Sequence, residues 1–211
     1  VSKTPTHDAS GEVAGFADGP GYFLPLVCTL NAARILDAAT RILGVTHEEL
    51  GELALKAEAG ANGLTLLPYF EGERTPNRPD ATGVFSGMNL GNSNREDFAR
   101  AMIEGMLCGM ADAVASLEKL GVEVKRILIV GGAAKNPAVG KIASAIFGRE
   151  VIIPAPGEYV AIGAAKLAAW ALLGTERPPE WNLGDVTSIK EVATPEVLIK
   201  YRKLRDQTQG W

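Results

Sequence analysis

Gly131 and Gly132, followed by Ala133, Lys135, Asn136 and Pro137, form the stretch of this sequence whose residue types and spacing best suit a phosphate. They come straight after the apolar run Ile127-Leu128-Ile129-Val130 and open into a helical pattern. Glycines there let the backbone approach a ligand, and a helix N-terminus attracts anions. The spacing Gly-Gly-Ala-x-x-Asn is neither the G-x-G-x-x-G dinucleotide fingerprint nor a P-loop, because no Gly-Lys-Ser/Thr follows. One reading is a different nucleotide-binding architecture. The other is local: Asn136 caps a helix with Pro137 at its first position, and the glycines only make the turn.

The elements around this stretch must position it. Residues 8–21 read as an irregular excursion, and Val1 to Thr4 as the tail of a strand. Tyr22 to Cys28 reads as a strand whose Pro25 implies an edge or a bulge. A helix follows from about Asn31, with Ala33, Leu36, Ala39 and Leu43 on one face and Gly44 as its stop. Thr46 with Glu49 forms a capping box for a second helix. Gly60 and Gly63 turn the chain into a strand over 64–70, a proline-bearing loop over 71–82 follows, and 84–90 reads as a short strand. Ser93 with Glu96 caps the longest helix, which runs to about Leu120 with Met102, Met106, Met110, Ala113 and Leu117 as its core stripe. Gly105 and Gly109 in that helix allow close approach of a neighbour.

Next come the glycine turn, a helix over 137–147, Gly148, a strand over 151–153 and a helix over 159–173 ended by Gly174. This βαβα run calls for parallel pairing through a right-handed crossover. Residues 175–193 read as a polar connector, and a final helix starting at Thr194-Pro195-Glu196 carries Val197, Leu198, Tyr201 and Leu204. The order of elements suits an α/β lobe of the ribonuclease-H-like or actin-like kind. In such a lobe an antiparallel and a parallel part share one mixed sheet with helices on both faces.

Composition narrows the classes of function. A chain of 211 residues with 46% hydrophobic and 22% charged residues is long enough for a core without disulfides or metal. A formal charge of -4 without a dense Lys/Arg cluster gives no footprint for nucleic acid, and no apolar run reaches bilayer length. Cys28 and Cys108 sit in apolar surroundings and His7 and His47 lack ligand spacing, so no metal centre is expected and a reducing, cytoplasmic setting fits. The first residue is Val1 and no leader follows, which reads as a piece of a longer chain.

Four segments then carry a resemblance to a known family. Leu67-Pro68-Tyr69-Phe70-Glu71-Gly72-Glu73-Arg74-Thr75-Pro76 resembles the Pro-Tyr-x-x-Gly-Glu-Arg-Thr-Pro loop of the FGGY carbohydrate kinases. Gly83 to Met88 followed by Asp97-Phe98 and Ala101 to Glu104 is similar to their C-terminal signature. Gly131 to Asn136 resembles their adenine-nucleotide loop, and Glu158 to Ala165 their closing Gly-Ala-Ala helix. The segments keep the family's order, and residues 22–43 fit more loosely. The sequence departs where Ala81-Thr82-Gly83 replaces a frequent Ala-Arg-Gly, which removes a positive charge near the loop, and where Lys141 replaces a frequent glutamine.

The resemblance implies that residues 1–211 are the C-terminal, nucleotide-binding lobe of a two-lobed sugar kinase of the xylulokinase kind, with 175–211 the connector and last helix of the same lobe. It implies ATP-dependent phosphorylation of a ketose such as D-xylulose, with Mg2+ on the phosphates. Gluconate, glycerol or ribulose are alternative substrates on the same fold, and an actin-like nucleotide-binding module without turnover is the non-enzymatic alternative. The family's base, an aspartate, falls just before the position of Val1, so no catalytic residue is named on this chain. The expected nucleotide contacts are Gly131, Gly132, Ala133 and Asn136. Gly132 and Ala133 approach phosphate, while Asn136 either caps the helix or presents its amide to adenine. Thr29 and Asn31, where a strand meets a helix, either contact phosphate or cap that helix. Glu73 beside Arg74 reads as an ion pair fixing its loop, Glu104 as a packing partner, and Asp97 as an early-helix acid. Most sugar contacts fall in the other lobe. A normally covered interlobe face would leave apolar surface exposed, favouring association with that lobe or with a second copy as a homodimer.

Overall fold

A computed structural model describes residues 1–182 and 184–210. The chain begins with an antiparallel hairpin of β1 (Val13–Ala17) and β2 (Phe23–Val27), in which Gly15 stands opposite Pro25. The 8–21 stretch is therefore not wholly irregular, since β1 forms inside it. Its cross-strand hydrogen bonds to β2 supply what a single amphipathic pattern did not reveal. Ser2 bridges to Phe23 through two backbone hydrogen bonds of 2.8 and 2.9 Å, as the tail of a strand would.

Helices α1 (Arg34–Leu43) and α2 (His47–Lys56) are joined by Gly44, which takes the left-handed conformation at φ 63°. The capping box of α2 is complete: Thr46 Oγ1 accepts from the Glu49 N–H at 3.2 Å, and the Glu49 carboxylate accepts from the Thr46 N–H at 2.8 Å. A single 3-10 turn over Ala61–Gly63 leads to β3 (Thr65–Leu67), which pairs antiparallel with β4 (Val84–Ser86). Both strands are shorter than the sequence pattern suggested.

The long helix α3 (Arg95–Lys119) is the axis of the core. Met102, Ile103, Met106, Leu107 and Cys108 are buried on it, among Ile35 and Leu36 of α1, Leu50 of α2 and Leu66 of β3. Its cap is Asn94, not Ser93: Asn94 Oδ1 accepts from the Asp97 N–H at 2.8 Å, while Ser93 turns its hydroxyl back to the Leu90 carbonyl. A Cβ at position 105 would stand 2.6 Å from the Leu66 carbonyl oxygen, so Gly105 is what lets α3 lie against β3. That gain outweighs the roughly 1 kcal/mol that a mid-helix glycine costs.

The third sheet is mixed. β5 (Ile127–Leu128) pairs parallel with β6 (Val151–Pro154), as the βαβ pattern required, with α4 (Pro137–Phe147) making the crossover. β6 also pairs antiparallel with β7 (Val186–Ile189), which lies inside the stretch read as a polar connector. Among the described residues the strands form three small sheets: the antiparallel pairs β1–β2 and β3–β4 stand apart, and the third, β5-β6-β7, combines parallel with antiparallel pairing. α4 settles on the mixed sheet at Gly140, where a Cβ would stand 2.6 Å from Ile189 Cδ1 and 2.7 Å from Ile153 Cδ1.

Helix α5 (Tyr159–Leu173) is apolar along its length yet has no buried residue, and Val160 and Leu172 are 90% and 88% exposed. On the hairpin Phe16 and Leu26 are also exposed. The last helix α6 (Pro195–Gln207) returns to the core through Val197, Tyr201 and Leu204. It is tied to α3 by Asp112, whose two carboxylate oxygens accept from Arg202 and Arg205. No helix among the described residues is long and apolar enough to cross a membrane.

Candidate functional site

Two adjacent loops leave the carboxyl ends of parallel strands β5 and β6, the edge where open α/β sheets characteristically hold ligands. The first carries Gly131 and Gly132, and the second runs from Pro154 to Tyr159. Between them lies a cleft of about 570 Å3. That volume is in the range of small-molecule sites.

Gly131 has φ 93°, a conformation that favours glycine, and nothing stands within 4 Å of where its Cβ or that of Gly132 would be. The space beside both residues is the open cleft itself. The loop is braced as a 3-10 turn over Gly132–Lys135, with the Ala134 N–H donating to the Gly131 carbonyl at 3.2 Å and the Asn136 N–H to the Ala133 carbonyl at 3.1 Å. Lys135 and Glu158 bring one cation and one carboxylate to the rim. Across the cleft the Tyr159 hydroxyl donates to the Ala155 carbonyl, which folds the second loop back on the start of α5.

The six positions expected to meet nucleotide do not gather in one place. Gly131 and Gly132 line the cleft, and Ala133 sits in the same turn but does not line it. Asn136 is buried, with both ends of its amide engaged. Oδ1 accepts from the Ala138 N–H at 3.0 Å as the N-cap of α4, and Nδ2 donates to the His47 carbonyl at 2.6 Å. The cap is made, and contact with adenine through the amide would have to use the second N–H of Nδ2 or the second lone pair of Oδ1.

Thr29 and Asn31 belong to a separate cluster. Neither caps α1, whose N-cap position is Ala33 with no side-chain bond. Both turn instead to Glu73, which is 3% exposed. Its carboxylate accepts from Thr29 Oγ1 at 2.7 Å, the Leu30 N–H at 2.9 Å, Asn31 Nδ2 at 2.9 Å and the Arg74 N–H at 2.7 Å. Asn31 also donates to the Gly72 carbonyl and accepts from the Phe70 N–H. Glu73 therefore fixes its loop through neutral donors and not through an ion pair with the Arg74 side chain. No local residue pattern signals this hub, because the donors of Thr29, Leu30 and Asn31 lie more than forty positions from Glu73 along the chain.

Glu104 is a packing partner, as expected. It receives Arg100 Nε at 2.6 Å and the Gly60 N–H at 2.9 Å, and burial pushes its carboxyl above the usual range against the pull of Arg100. Asp97 is buried beside its cap residue, with Asn94 Nδ2 donating to it at 2.8 Å. The 154–159 wall was the part of the site that residue chemistry did not single out. The rule that ligands sit beyond the carboxyl ends of parallel strands would have found it, because Ala155 to Gly157 follow β6 directly.

A mixed sheet crossed by α4, with an open cleft at the strand ends and a long central helix, defines an α/β lobe of the actin-like ATPase class. The family model for the C-terminal domain of the FGGY family of carbohydrate kinases matches residues 22–172, and the chain belongs to that family. The xylulose kinase of Haemophilus influenzae is 32% identical over 159 residues, covering 75% of this chain and 32% of that protein. The xylulose kinase of Streptomyces coelicolor is 34% identical over 186 residues, covering 86% of this chain and 37% of that protein. Among solved structures, xylulose kinase from Bifidobacterium adolescentis superposes with a TM-score of 0.87 at 50% identity, covering 97% of this chain and 40% of that one. Plasmodium falciparum glycerol kinase with ADP shares the fold at a TM-score of 0.79 and 18% identity. The chain thus spans about a third of the length of these curated relatives.

Proposed function

We propose that residues 1–211 are the C-terminal lobe of a sugar kinase and supply its ATP site, the whole enzyme converting D-xylulose to D-xylulose 5-phosphate. The observation that carries this reading is the 50% identity to the Bifidobacterium adolescentis xylulose kinase over 97% of the chain. The cleft supports the nucleotide half of it. A bare glycine backbone at Gly131 and Gly132 leaves room for phosphate oxygens, and Lys135 stands at the rim as a countercharge.

In phosphoryl transfer the sugar hydroxyl attacks the γ-phosphorus, the bond to the β–γ bridging oxygen breaks, and a carboxylate takes the hydroxyl proton. This lobe's part is to hold the donor in line. Mg2+ neutralises charge on the phosphates when bound. Among the described residues no three of His, Cys, Asp and Glu cluster as a metal cage, and an ion held mainly by phosphates and water needs none. The exposed apolar faces of α5 and of the hairpin suit cover by the remainder of such a kinase or by a second copy in a homodimer, and the expected setting is cytoplasmic.

Gluconate is the second substrate to consider, because the gluconokinase of Bacillus subtilis is 29% identical over 75% of this chain. The test is ATP-dependent phosphorylation by the full-length kinase that carries this lobe, measured with D-xylulose, D-ribulose, gluconate and glycerol. The highest kcat/KM is expected with D-xylulose. A preference for another acceptor reassigns the substrate, and absence of turnover with all of them favours a nucleotide-binding module.

A further inference from the structure

Gly51 lies in the middle of α2, more than eighty positions before Asn136 and Pro137. A Cβ at position 51 would stand 2.6 Å from Asn136 Oδ1, 2.7 Å from Pro137 Cγ and 2.9 Å from Pro137 Cδ. Real Cβ atoms essentially never sit that close to their neighbours. The residue is buried, and α2 has no kink, bulge or left-handed turn there that would call for a glycine. A mid-helix glycine lowers helix propensity, so what it provides must be sought across the contact.

One turn earlier on the same face, the His47 carbonyl accepts from Asn136 Nδ2 at 2.6 Å. His47 and Gly51 together form a seat. The carbonyl holds the Asn136 amide, and the missing side chain admits the Pro137 ring. Asn136 and Pro137 are where the glycine loop ends and α4 begins. The loop is a short, internally bonded turn in which the Asn136 N–H holds the Ala133 carbonyl and the Ala134 N–H holds the Gly131 carbonyl. Displacement of Asn136 is therefore passed on to Gly131 and Gly132 at the cleft.

We infer that Gly51 is a positioning residue for the glycine loop: α2 sets the height of the loop over the cleft, and a side chain at position 51 would lift it. Gly51 does not line the cleft. Its effect on ligand binding rests on the nucleotide reading given above, whereas the mechanical tie between α2 and the loop does not.

The experiment uses the 211-residue chain, labelled with 15N, and ADP as the probe. Gly51→Ala is expected to move the amide resonances of residues 131–136 while those of β3 and α6 stay in place, and to raise the Kd for ADP about tenfold. Pro137→Ala removes Cγ and Cδ, at 2.7 and 2.9 Å from a Cβ at position 51, and leaves Asn136 Oδ1 at 2.6 Å, so the double variant is expected to recover part of the wild-type shifts and affinity. Asn136→Asp keeps the cap and loses the donor to His47 without adding volume. It should move the amide resonances of residues 131–133, away from the substituted position, in a folded chain even if Gly51→Ala fails to fold. Unchanged 131–133 resonances in both folded variants would overturn the tie. Moved resonances with an unchanged Kd would overturn the positioning role. A wild-type chain that does not bind ADP would sink the nucleotide reading and the functional half of the inference with it, while the resonances still decide the tie.

Discussion

The Nδ2 of Asn31 lies 2.9 Å from Oε2 of Glu73, and this contact between residues more than forty positions apart joins the end of the hairpin to the loop that follows β3. Glu73→Ala would strand the donors of Thr29, Leu30, Asn31 and Arg74 at once. We expect a loss of about 3 kcal/mol in chemical denaturation, and about 1 kcal/mol for Glu73→Gln, which keeps one acceptor oxygen. Arg74→Ala should be nearly neutral, because the arginine contributes only its backbone N–H to the hub. A large loss in Arg74→Ala would restore the ion-pair reading.

Glu104 predicts a pH dependence. An unperturbed glutamate titrates near 4.5, and burial of Glu104 raises its folded-state value, with Arg100 opposing the rise. Between the two values the native state holds a proton that the unfolded chain has lost. The contribution to stability is therefore full below the unfolded value and is lost as pH rises through the folded value. The difference in unfolding free energy between wild type and Glu104→Gln should fall with rising pH across that window. A difference that rises there would contradict the raised value.

Glu104→Ala removes one partner of a buried ion pair and leaves Arg100 without a countercharge. A loss of about 3 kcal/mol is expected by thermal or chemical unfolding, in contrast to a near-zero effect for the exposed pair of Arg34 and Glu71.

Gly132→Val and Asn136→Ala should separate ligand binding from stability. Gly132 has no positive φ and nothing within 4 Å of its Cβ position, so a Cβ there meets open space and the methyls of valine extend into it. Its unfolding midpoint should stay near wild type while the KM for ATP of the full-length kinase rises and that for sugar does not. Asn136→Ala loses a cap and the bond to His47, and should cost about 1–2 kcal/mol of stability. An unaltered KM for ATP in Gly132→Val would reduce the glycines to a turn.

The chain by itself should show no phosphoryl transfer to D-xylulose, since donor and acceptor must be held together by both lobes of the proposed kinase. With Val160 and Leu172 almost fully exposed, it should also self-associate in sedimentation as its concentration rises. Turnover by the isolated chain, or a clean monomer at all concentrations, would count against a missing covering partner.

Features set by neighbours three or four positions apart were legible in the sequence. The Thr46 and Glu49 box, the left-handed stops at Gly44, Gly148 and Gly174, and the Asn136 cap with Pro137 at the first helical position all stand where the residue pattern put them. These are local choices, made by side chains that reach their own backbone or by hydrophobic period. The FGGY segments were legible for the same reason, because each is a short run of fixed residues in a fixed order. Tertiary structure decided what depends on partners far along the chain. β1 and β7 exist through pairing with β2 and β6, and the all but wholly exposed pattern of β7 reads as a connector until β6 is beside it. Glu73 gathers Thr29 and Asn31 away from the cleft, and α2 takes one N–H of the Asn136 amide. A buried carboxylate or amide takes whatever donors or acceptors the fold brings within reach, and only the packed chain determines which those are.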